Sequence, residues 1–550
     1  MFFIYKRRCY VILLFFLILL GLLNFRIYNI QYKDREKYSV MADMQHSYIE
    51  STRDLNYKLL DCNENNLLKY KEEYKAVIIP KVFIRENGEE NYKEYLNIIE
   101  ELGVYNKNYD NLDITSNAKH YFDIDFNTYR RLNEIKNIKG FYTFKRLKVD
   151  RSEAWSIENM ITTTRNINSG KEKSLDSLEM IIKDKLKNNK NYTIEFKKDV
   201  DNNILNVKEN IPKNNLNVKL TLDGNLQEHI KELLNNKYGD YEQIGVILME
   251  SNSGNIKAMV QKDDTLPNVN IGAETLNGFF PGSIYKTLIM ETMLEKDNNN
   301  INKKFSCRGL YEDKNKGITH GSLSIKDAFV VSCNHIFSQL GIESGFKRIY
   351  TLSKSQGLLD KVLNLDREQI GRFEIEDPKM EDGSLGLTAI GQNIRITPVE
   401  AISIVNTVIN EGIYIKPNIV SAYVDNDNKA VEKIKYENER CISEETALNV
   451  KKAMNEVVKR GTGREAYLEN IDIGGKTGST ERLEIIKNKK GEEERIKYSD
   501  GWFIGFFNKE DKYYSMVVFV KNINKDSQSG GNTAAPIFKD IVNIFVNEES

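Results

Sequence analysis

Two strand-forming regions lying far apart, with a long helical region between them, restrict the architecture of this chain more than any other feature. Gly245–Met249 and Asn255–Val260 flank the turn Ser251-Asn252-Ser253-Gly254, which is the pattern of an antiparallel hairpin. Gly474–Leu483 reads as a further strand, and Trp502–Phe507 pairs with Tyr513–Val520 across Asn508-Lys509-Glu510-Asp511. From the Pro281-Gly282 turn to about Arg460 the periodicity is largely helical, with a capping box at Thr397-Pro398-Val399-Glu400 and Gly412 punctuating the end. Strands at both ends must therefore meet in one sheet, with the helical region inserted between them. The expectation is an α+β domain over 218–550, opened by the short strand and helix of LTLDGNLQEHIKELL and closed by a helix after Pro536.

Inside that domain NGFFPGSIYKTLIMETML (Asn277–Leu294) places Ser283 and Lys286 three residues apart behind the Pro281-Gly282 turn. Leu288, Ile289, Met293 and Leu294 recur at helical spacing, so Ser283 falls at a helix N-terminus with Lys286 one turn along on the same face. A hydroxyl is a poor nucleophile unless a base removes its proton as it attacks, and free N–H groups at a helix end suit an oxyanion. Alone, S-x-x-K is common and reads as a solvated helix face.

Composition excludes several alternatives. Lys plus Arg total 79 against 80 Asp plus Glu, so no basic surface argues for nucleic acid. The five cysteines form no C-x-x-C pair and the five histidines no H-E-x-x-H, so no metal site, redox pair or cofactor is expected. Cys307 and Cys333 read as buried or free thiols, although a disulfide between them is compatible with an extracytoplasmic location.

At the N-terminus Lys6-Arg7-Arg8 precede an apolar run, Cys9–Leu23, extended by Asn24-Phe25. This is at the short end of the roughly 17–25 residues that cross a bilayer as a helix, and no small-x-small cleavage site follows it. Flanking basic residues keep the N-terminus in the cytoplasm. The expectation is a cytoplasmic tail (1–8), a single transmembrane anchor (9–25), an extended α+β pedestal outside the membrane (26–217) and the catalytic domain (218–550). Within the pedestal, Ala76–Phe83 reads as an edge strand because it carries a proline, and Tyr92–Leu102 as an amphipathic helix.

Two tripeptides accompany Ser283: Ser332-Cys333-Asn334 in a helical context, and Lys476-Thr477-Gly478, followed by Ser479, on a strand after Gly474-Gly475. Each alone would be a buried serine, a cap or a strand-end turn. In order, S-x-x-K, S-x-N and K-T-G form the set found in penicillin-binding proteins and serine β-lactamases. The chain resembles the class B, high-molecular-mass penicillin-binding proteins, and LTLDGNLQ, ESNSGNIKAMV, His320-Gly321, GQNIRITPVE, GTGREA, DGWFIGF and AAPIF resemble further family landmarks in family order. The match in the pedestal is thinner: SLDSLEMIIKDKL carries serines where most members have glycines, and Arg53–Leu68 follows the juxtamembrane pattern only loosely.

The resemblance implies the serine β-lactamase and penicillin-binding transpeptidase fold: an antiparallel sheet with flanking helices and an inserted helical subdomain. It implies D,D-transpeptidation of peptidoglycan stem peptides ending in D-Ala-D-Ala, with acylation by β-lactams. In that reading Ser283 is the nucleophile and Lys286 its base. Ser332 relays the proton, and Asn334 holds the amide side chain of the substrate. Lys476, Thr477 and Ser479 engage its carboxylate beside Gly478, and the N–H groups of Ser283 and Ser479 form the oxyanion hole. A separate membrane glycan polymerase is the implied partner. The alternatives are a D,D-carboxypeptidase, a protein that hydrolyses or senses β-lactams, and a non-catalytic scaffold.

Overall fold

The computed structural model describes residues 2–33, 46–87, 91–105, 115–312, 319–435, 437–487, 493–524 and 526–547. It forms two compact units between which the chain passes more than once. Met1–Asn56, Lys69–Val149 and Asn189–Lys213 make the first; Tyr57–Leu68, Asp150–Asn188 and Asn214–Ser550 make the second. Two segments expected with the pedestal, Tyr57–Leu68 and Asp150–Asn188, thus group with the second unit.

In the first unit Tyr70–Ile78 is the central strand between His120–Ile124 and Phe141–Val149. The strand read as Ala76–Phe83 therefore ends sooner and is no edge. Pro80 instead occupies the first turn of a helix, Pro80–Arg85, where a missing N–H costs nothing. The amphipathic helix is Tyr92–Gly103, burying Ile98 and Leu102, and they pack with Ala76, Ile78, Phe83, Phe122 and Phe141. A second sheet of Ser47–Ser51, Thr193–Lys198 and Ile204–Asn210 contributes Tyr48 and Phe196 to a cluster with Val77, Tyr142 and Phe144. The N-terminal apolar run lies in a helix, Phe2–Tyr28, whose side chains from Leu13 to Leu20 are exposed, those before Leu13 lying outside the described residues. Among the described residues no helix is long and apolar enough to cross a membrane.

The second unit is built on one five-stranded antiparallel sheet. In chain order its main elements are β1 (Gln243–Glu250), β2 (Ile256–Gln261), α1 (Lys286–Leu294), β3 (Lys304–Cys307), β4 (Gly321–Ser324), α2 (Ile325–Val330) and α3 (Asn334–Ser344). There follow α4 (Pro398–Ile409), α5 (Glu444–Arg460), β5 (Ile473–Lys487), β6 (Glu493–Lys509), β7 (Lys512–Ile523) and α6 (Ala534–Asn547). The sheet order is β2-β1-β7-β6-β5. The pairing of β1 with β7, from Tyr514↔Glu250 to Lys521↔Gln243, joins strands from opposite ends of the domain, as their separation requires.

Both faces of this sheet are covered. Ile244, Val246 and Leu248 of β1 and Phe503 and Phe507 of β6 pack under Leu226, Ile230 and Leu234 of the helix Gly224–Lys237 and under α6. The α6 stripe Ala534, Ala535, Ile537, Phe538, Ile541, Val542 and Phe545 follows helical spacing. Phe538 meets Phe503 edge-on at 4.7 Å, and truncating a ring buried like this costs about 3–5 kcal/mol. On the other face lies α4, all twelve of whose residues are buried. Such a helix has no solvent side to satisfy, so it needs no polar stripe. Its capping box at Thr397 and Glu400 is formed as expected.

The inserted region is less purely helical than its periodicity suggests. Val420–Val424 pairs with Asn217–Leu220 and with Ala430–Lys433 in a separate four-stranded sheet. The closing helix starts at Ala534, before Pro536, which the first turn accommodates.

Candidate active site

The segment before Ser283 is pressed against β5, the edge strand of the main sheet. Gly282 has φ +54°, and a Cβ there would come within 2.8 Å of Ser479 O. A Cβ on Gly478 would come equally close, 2.8 Å, to Pro281 O. These two glycines allow the turn and the strand to touch. The turn is further held by Gly282 N–H donating to Gly391 O at 3.1 Å and by Trp502 Nε1–H donating to Phe280 O at 3.1 Å. Ser283 then lies, half-buried, in a 3₁₀ turn (Gly282–Tyr285) that runs directly into α1, whose nine residues are all buried. The expected serine at a helix start followed by a lysine one turn later is present, with a 3₁₀ turn in place of the first α turn.

Ser332-Cys333-Asn334 forms the turn between α2 and α3, where a continuous helical context was expected. Ser332 has φ +58°, a left-handed conformation costing a non-glycine residue about 1–2 kcal/mol. It is held there by Ser332 N–H donating to Phe329 O at 3.1 Å and Cys333 N–H donating to Ala328 O at 2.9 Å. The turn aims both oxygens of Ser332 at Lys286: Nζ donates to Ser332 O at 2.6 Å, to Ser332 Oγ at 3.3 Å and to Asn334 Oδ1 at 2.6 Å. From β5, Lys476 Nζ donates to the same Ser332 Oγ at 2.9 Å and to Thr477 O at 2.9 Å. Ser332 is thus the bridge between two lysines from elements remote in sequence.

Both lysines are fully buried. Burial pushes the Lys286 ammonium down to about 7, with the charge of Glu312 acting the other way. Lys476 is pushed well below the ordinary lysine range, first by burial and then by repulsion from Lys286. The rings of Phe337 and Phe329 lie 5.6 Å from Lys286 Nζ and Lys476 Nζ respectively, close enough to soften the cost of a buried cation. A site holding two amines in this way supplies a neutral amine at neutral pH, which is what a proton acceptor requires.

The remaining expected residues line β5. Thr477 Oγ1 is 2.6 Å from Thr462 Oγ1, in the GTGREA segment, and Ser479 is exposed, its Oγ accepting from Gly530 N–H at 3.0 Å. Gly478 faces Pro281 as described.

Some contacts have no counterpart among the expected residues. Asn334 is oriented by Tyr311 O, which accepts from its Nδ2–H at 2.9 Å, and by Glu312 Oε1, which accepts from its backbone N–H at 2.7 Å. Neither Tyr311 nor Glu312 carries a motif, and a charged residue in a polar loop gives no signal of what it will face. Cys307 and Cys333 are free thiols rather than a disulfide. Together with Glu312 and His320 they place four potential metal-ligand atoms within 4.8 Å of one another, although the sequence spacing suggested no metal site.

Comparison with known proteins bears on the family and the fold. The penicillin-binding protein transpeptidase domain model matches residues 244–543. Stage V sporulation protein D of Bacillus subtilis is 28% identical over 346 residues, covering 59% of this chain and 52% of that protein. Peptidoglycan D,D-transpeptidase PbpA of Mycobacterium tuberculosis is 27% identical over 231 residues, covering 42% of this chain and 45% of that protein. The chain spans about half the length of the curated relatives it matches. Among solved structures, a peptidoglycan synthetase from Bifidobacterium adolescentis superposes with TM-score 0.63 at 16% identity, covering 91% of this chain and 96% of that one. Penicillin-binding protein 3 of M. tuberculosis with aztreonam gives TM-score 0.56 at 16% identity over 90% of this chain and 96% of that one. Likenesses at this identity establish the fold.

Proposed function

Because the chain belongs to the penicillin-binding protein transpeptidase family, we propose that it is a serine D,D-transpeptidase that cross-links peptidoglycan stem peptides through an acyl-enzyme on Ser283. The observation that carries this reading is the convergence of Lys286, Asn334 and Lys476 on the Ser332 turn beside the Ser283 helix.

In the proposed sequence Ser283 Oγ attacks the carbonyl carbon of the penultimate D-alanine while neutral Lys286 takes the hydroxyl proton. The tetrahedral oxyanion is received by the backbone N–H groups of Ser283 and Ser479, donors fixed before the charge develops. Ser332, bonded to both lysines, passes a proton to the departing nitrogen, and D-alanine leaves. Lys476, Thr477 and Ser479, beside Gly478, hold the terminal carboxylate of the substrate by charge-assisted bonds. That carboxylate favours the ammonium form of Lys476 and so compensates for its burial. Asn334 holds the side-chain amide of the stem peptide. The amine of a second stem peptide then attacks the acyl-enzyme, releases Ser283 and completes the cross-link. A β-lactam acylates the same serine, but its leaving group stays tethered.

We further propose that residues 9–25 anchor the chain in the cytoplasmic membrane, with residues 1–8 inside the cell. In this arrangement the 26–217 pedestal and the 218–550 domain stand outside, beside a separate membrane glycan polymerase. The apolar run Cys9–Leu23 and the Lys6-Arg7-Arg8 flank support this.

The test of the reaction uses a donor peptide ending in D-Ala-D-Ala with an acceptor amine. Transpeptidation predicts release of D-alanine matched by cross-linked product. Release with hydrolysed donor alone would make the protein a carboxypeptidase, and no release would leave the scaffold reading. The topology is tested by protease applied to intact wall-less cells, which should digest the chain from outside; full protection would contradict the anchor orientation.

A further inference from the structure

The four ligand atoms beside the S-x-N turn come from separate local structures that the fold brings together. Cys307 ends β3 and His320 immediately precedes β4; the two strands pair with Cys307 opposite Gly321, so these side chains stand at the same end of a hairpin. Glu312 lies in the segment joining the strands. Cys333 caps the N-terminus of α3, its Sγ accepting from Ile336 N–H at 3.4 Å. Cys307 Sγ is 3.6 Å from His320 Nδ1, and His320 Nδ1 is 3.9 Å from Glu312 Oε1.

The 3.6 and 3.9 Å separations approach those of a tetrahedral centre, and all four ligand atoms lie within 4.8 Å of one another. Zinc bonds of about 2.3 Å to sulfur and about 2.0–2.2 Å to nitrogen or oxygen set the ligand atoms roughly 3.3–3.8 Å apart. Two thiolates exclude calcium and magnesium, which take oxygen ligands, and with imidazole and a carboxylate they favour a borderline-soft divalent ion. Both cysteines are buried while Glu312 and His320 are partly exposed, which gives an ion a way in.

We propose that Cys307, Glu312, His320 and Cys333 bind a zinc ion that ties the β3–β4 hairpin to the N-terminus of α3. Binding displaces the two thiol protons to solvent and leaves four protein ligands with no open position, so the ion is structural and takes no part in the acyl transfer. Its consequence for the site is positional. Cys333 lies between Ser332 and Asn334, and Glu312 accepts from the N–H groups of Asn334 at 2.7 Å and His335 at 3.2 Å. An ion held there would fix the left-handed Ser332 turn and the Asn334 amide from behind.

The experiment uses the full chain purified in detergent without chelator. About one zinc per chain should survive gel filtration. A strong chelator should lower the thermal midpoint, zinc should restore it, and magnesium should not. His320→Ala, checked for folding by circular dichroism, should lose the metal. Cobalt substituted into wild-type protein should show thiolate-to-metal charge transfer, an outcome that does not depend on any variant folding. Folded wild-type protein with no stoichiometric zinc and no such cobalt spectrum would overturn the site, as would a Cys307–Cys333 disulfide in freshly prepared metal-free protein. Equal penicillin acylation rates for zinc-loaded and chelated protein would overturn the positional role.

Discussion

Lys286 Nζ and Asn334 Oδ1 stand 2.6 Å apart, so the residue proposed to hold the substrate amide also touches the proposed base. A neutral amide oxygen there accepts from the amine in either protonation state; a carboxylate would favour the ammonium. An opposite charge at this range raises a lysine by about one to three pH units. Asn334→Asp should therefore move the acid limb of the pH–rate profile for penicillin acylation to higher pH by at least about one unit. A limb left in place would mean that Lys286 is not the titrating group.

The base itself is tested through its charge. With Lys286 pushed down to about 7, the neutral, proton-accepting form gains population as pH rises through that value, so wild-type acylation should rise across the same window. Lys286→Ala should lower the rate by roughly a hundredfold to ten-thousandfold. Lys286→Arg should be as damaging, because a guanidinium keeps the charge but accepts no proton at neutral pH. Circular dichroism checks that both variants fold, and near wild-type acylation by the arginine variant would reduce Lys286 to an electrostatic anchor.

Lys476 is held by Ser332 Oγ and Thr477 O, and its proposed role depends on a carboxylate from outside. Wild-type protein should be acylated much faster by a β-lactam carboxylate than by the methyl ester of the same compound. Lys476→Ala should remove most of that difference while leaving the melting temperature little changed. Equal discrimination by both proteins would assign carboxylate recognition elsewhere.

A buried acid on the nucleophile helix makes stability depend on pH. Glu291 is fully buried, accepts from Gln356 Nε2–H at 2.6 Å, and is pushed up to about 8 by burial. The folded chain keeps this proton up to about 8 whereas the unfolded chain releases it above about 4.5. The contribution of Glu291 is thus complete below about 4.5 and is lost as pH rises through about 8. Glu291→Gln should melt above wild type near pH 9, with the gap closing toward pH 5. Parallel melting curves across that range would contradict a protonated Glu291.

The strands of the sheet and the Ser283–Lys286 spacing were legible in the sequence because their signals are local. Gly245–Met249 and Trp502–Phe507 read as strands because turn residues separate each from a second strand-forming run, and Lys286 follows Ser283 by one turn whatever surrounds it. Ser332 was not legible as a left-handed turn: the stretch from Ile325 to Gly341 keeps helical spacing through it, and tertiary contacts decide the break. Pro80 was misread because a proline at the edge of a sheet and one at a helix start leave the same local trace. The Cys307, Glu312, His320 and Cys333 cluster was invisible since its ligands come from a hairpin end, a loop and a helix cap, at intervals matching no zinc-binding repeat.

The central claim is that Ser283 becomes acylated, and it is tested most directly by mass spectrometry of peptides from penicillin-treated protein. The account predicts one stable adduct, on the peptide containing Ser283, absent from Ser283→Ala protein that remains folded. An adduct on any other serine, or undiminished labelling of Ser283→Ala, would contradict it.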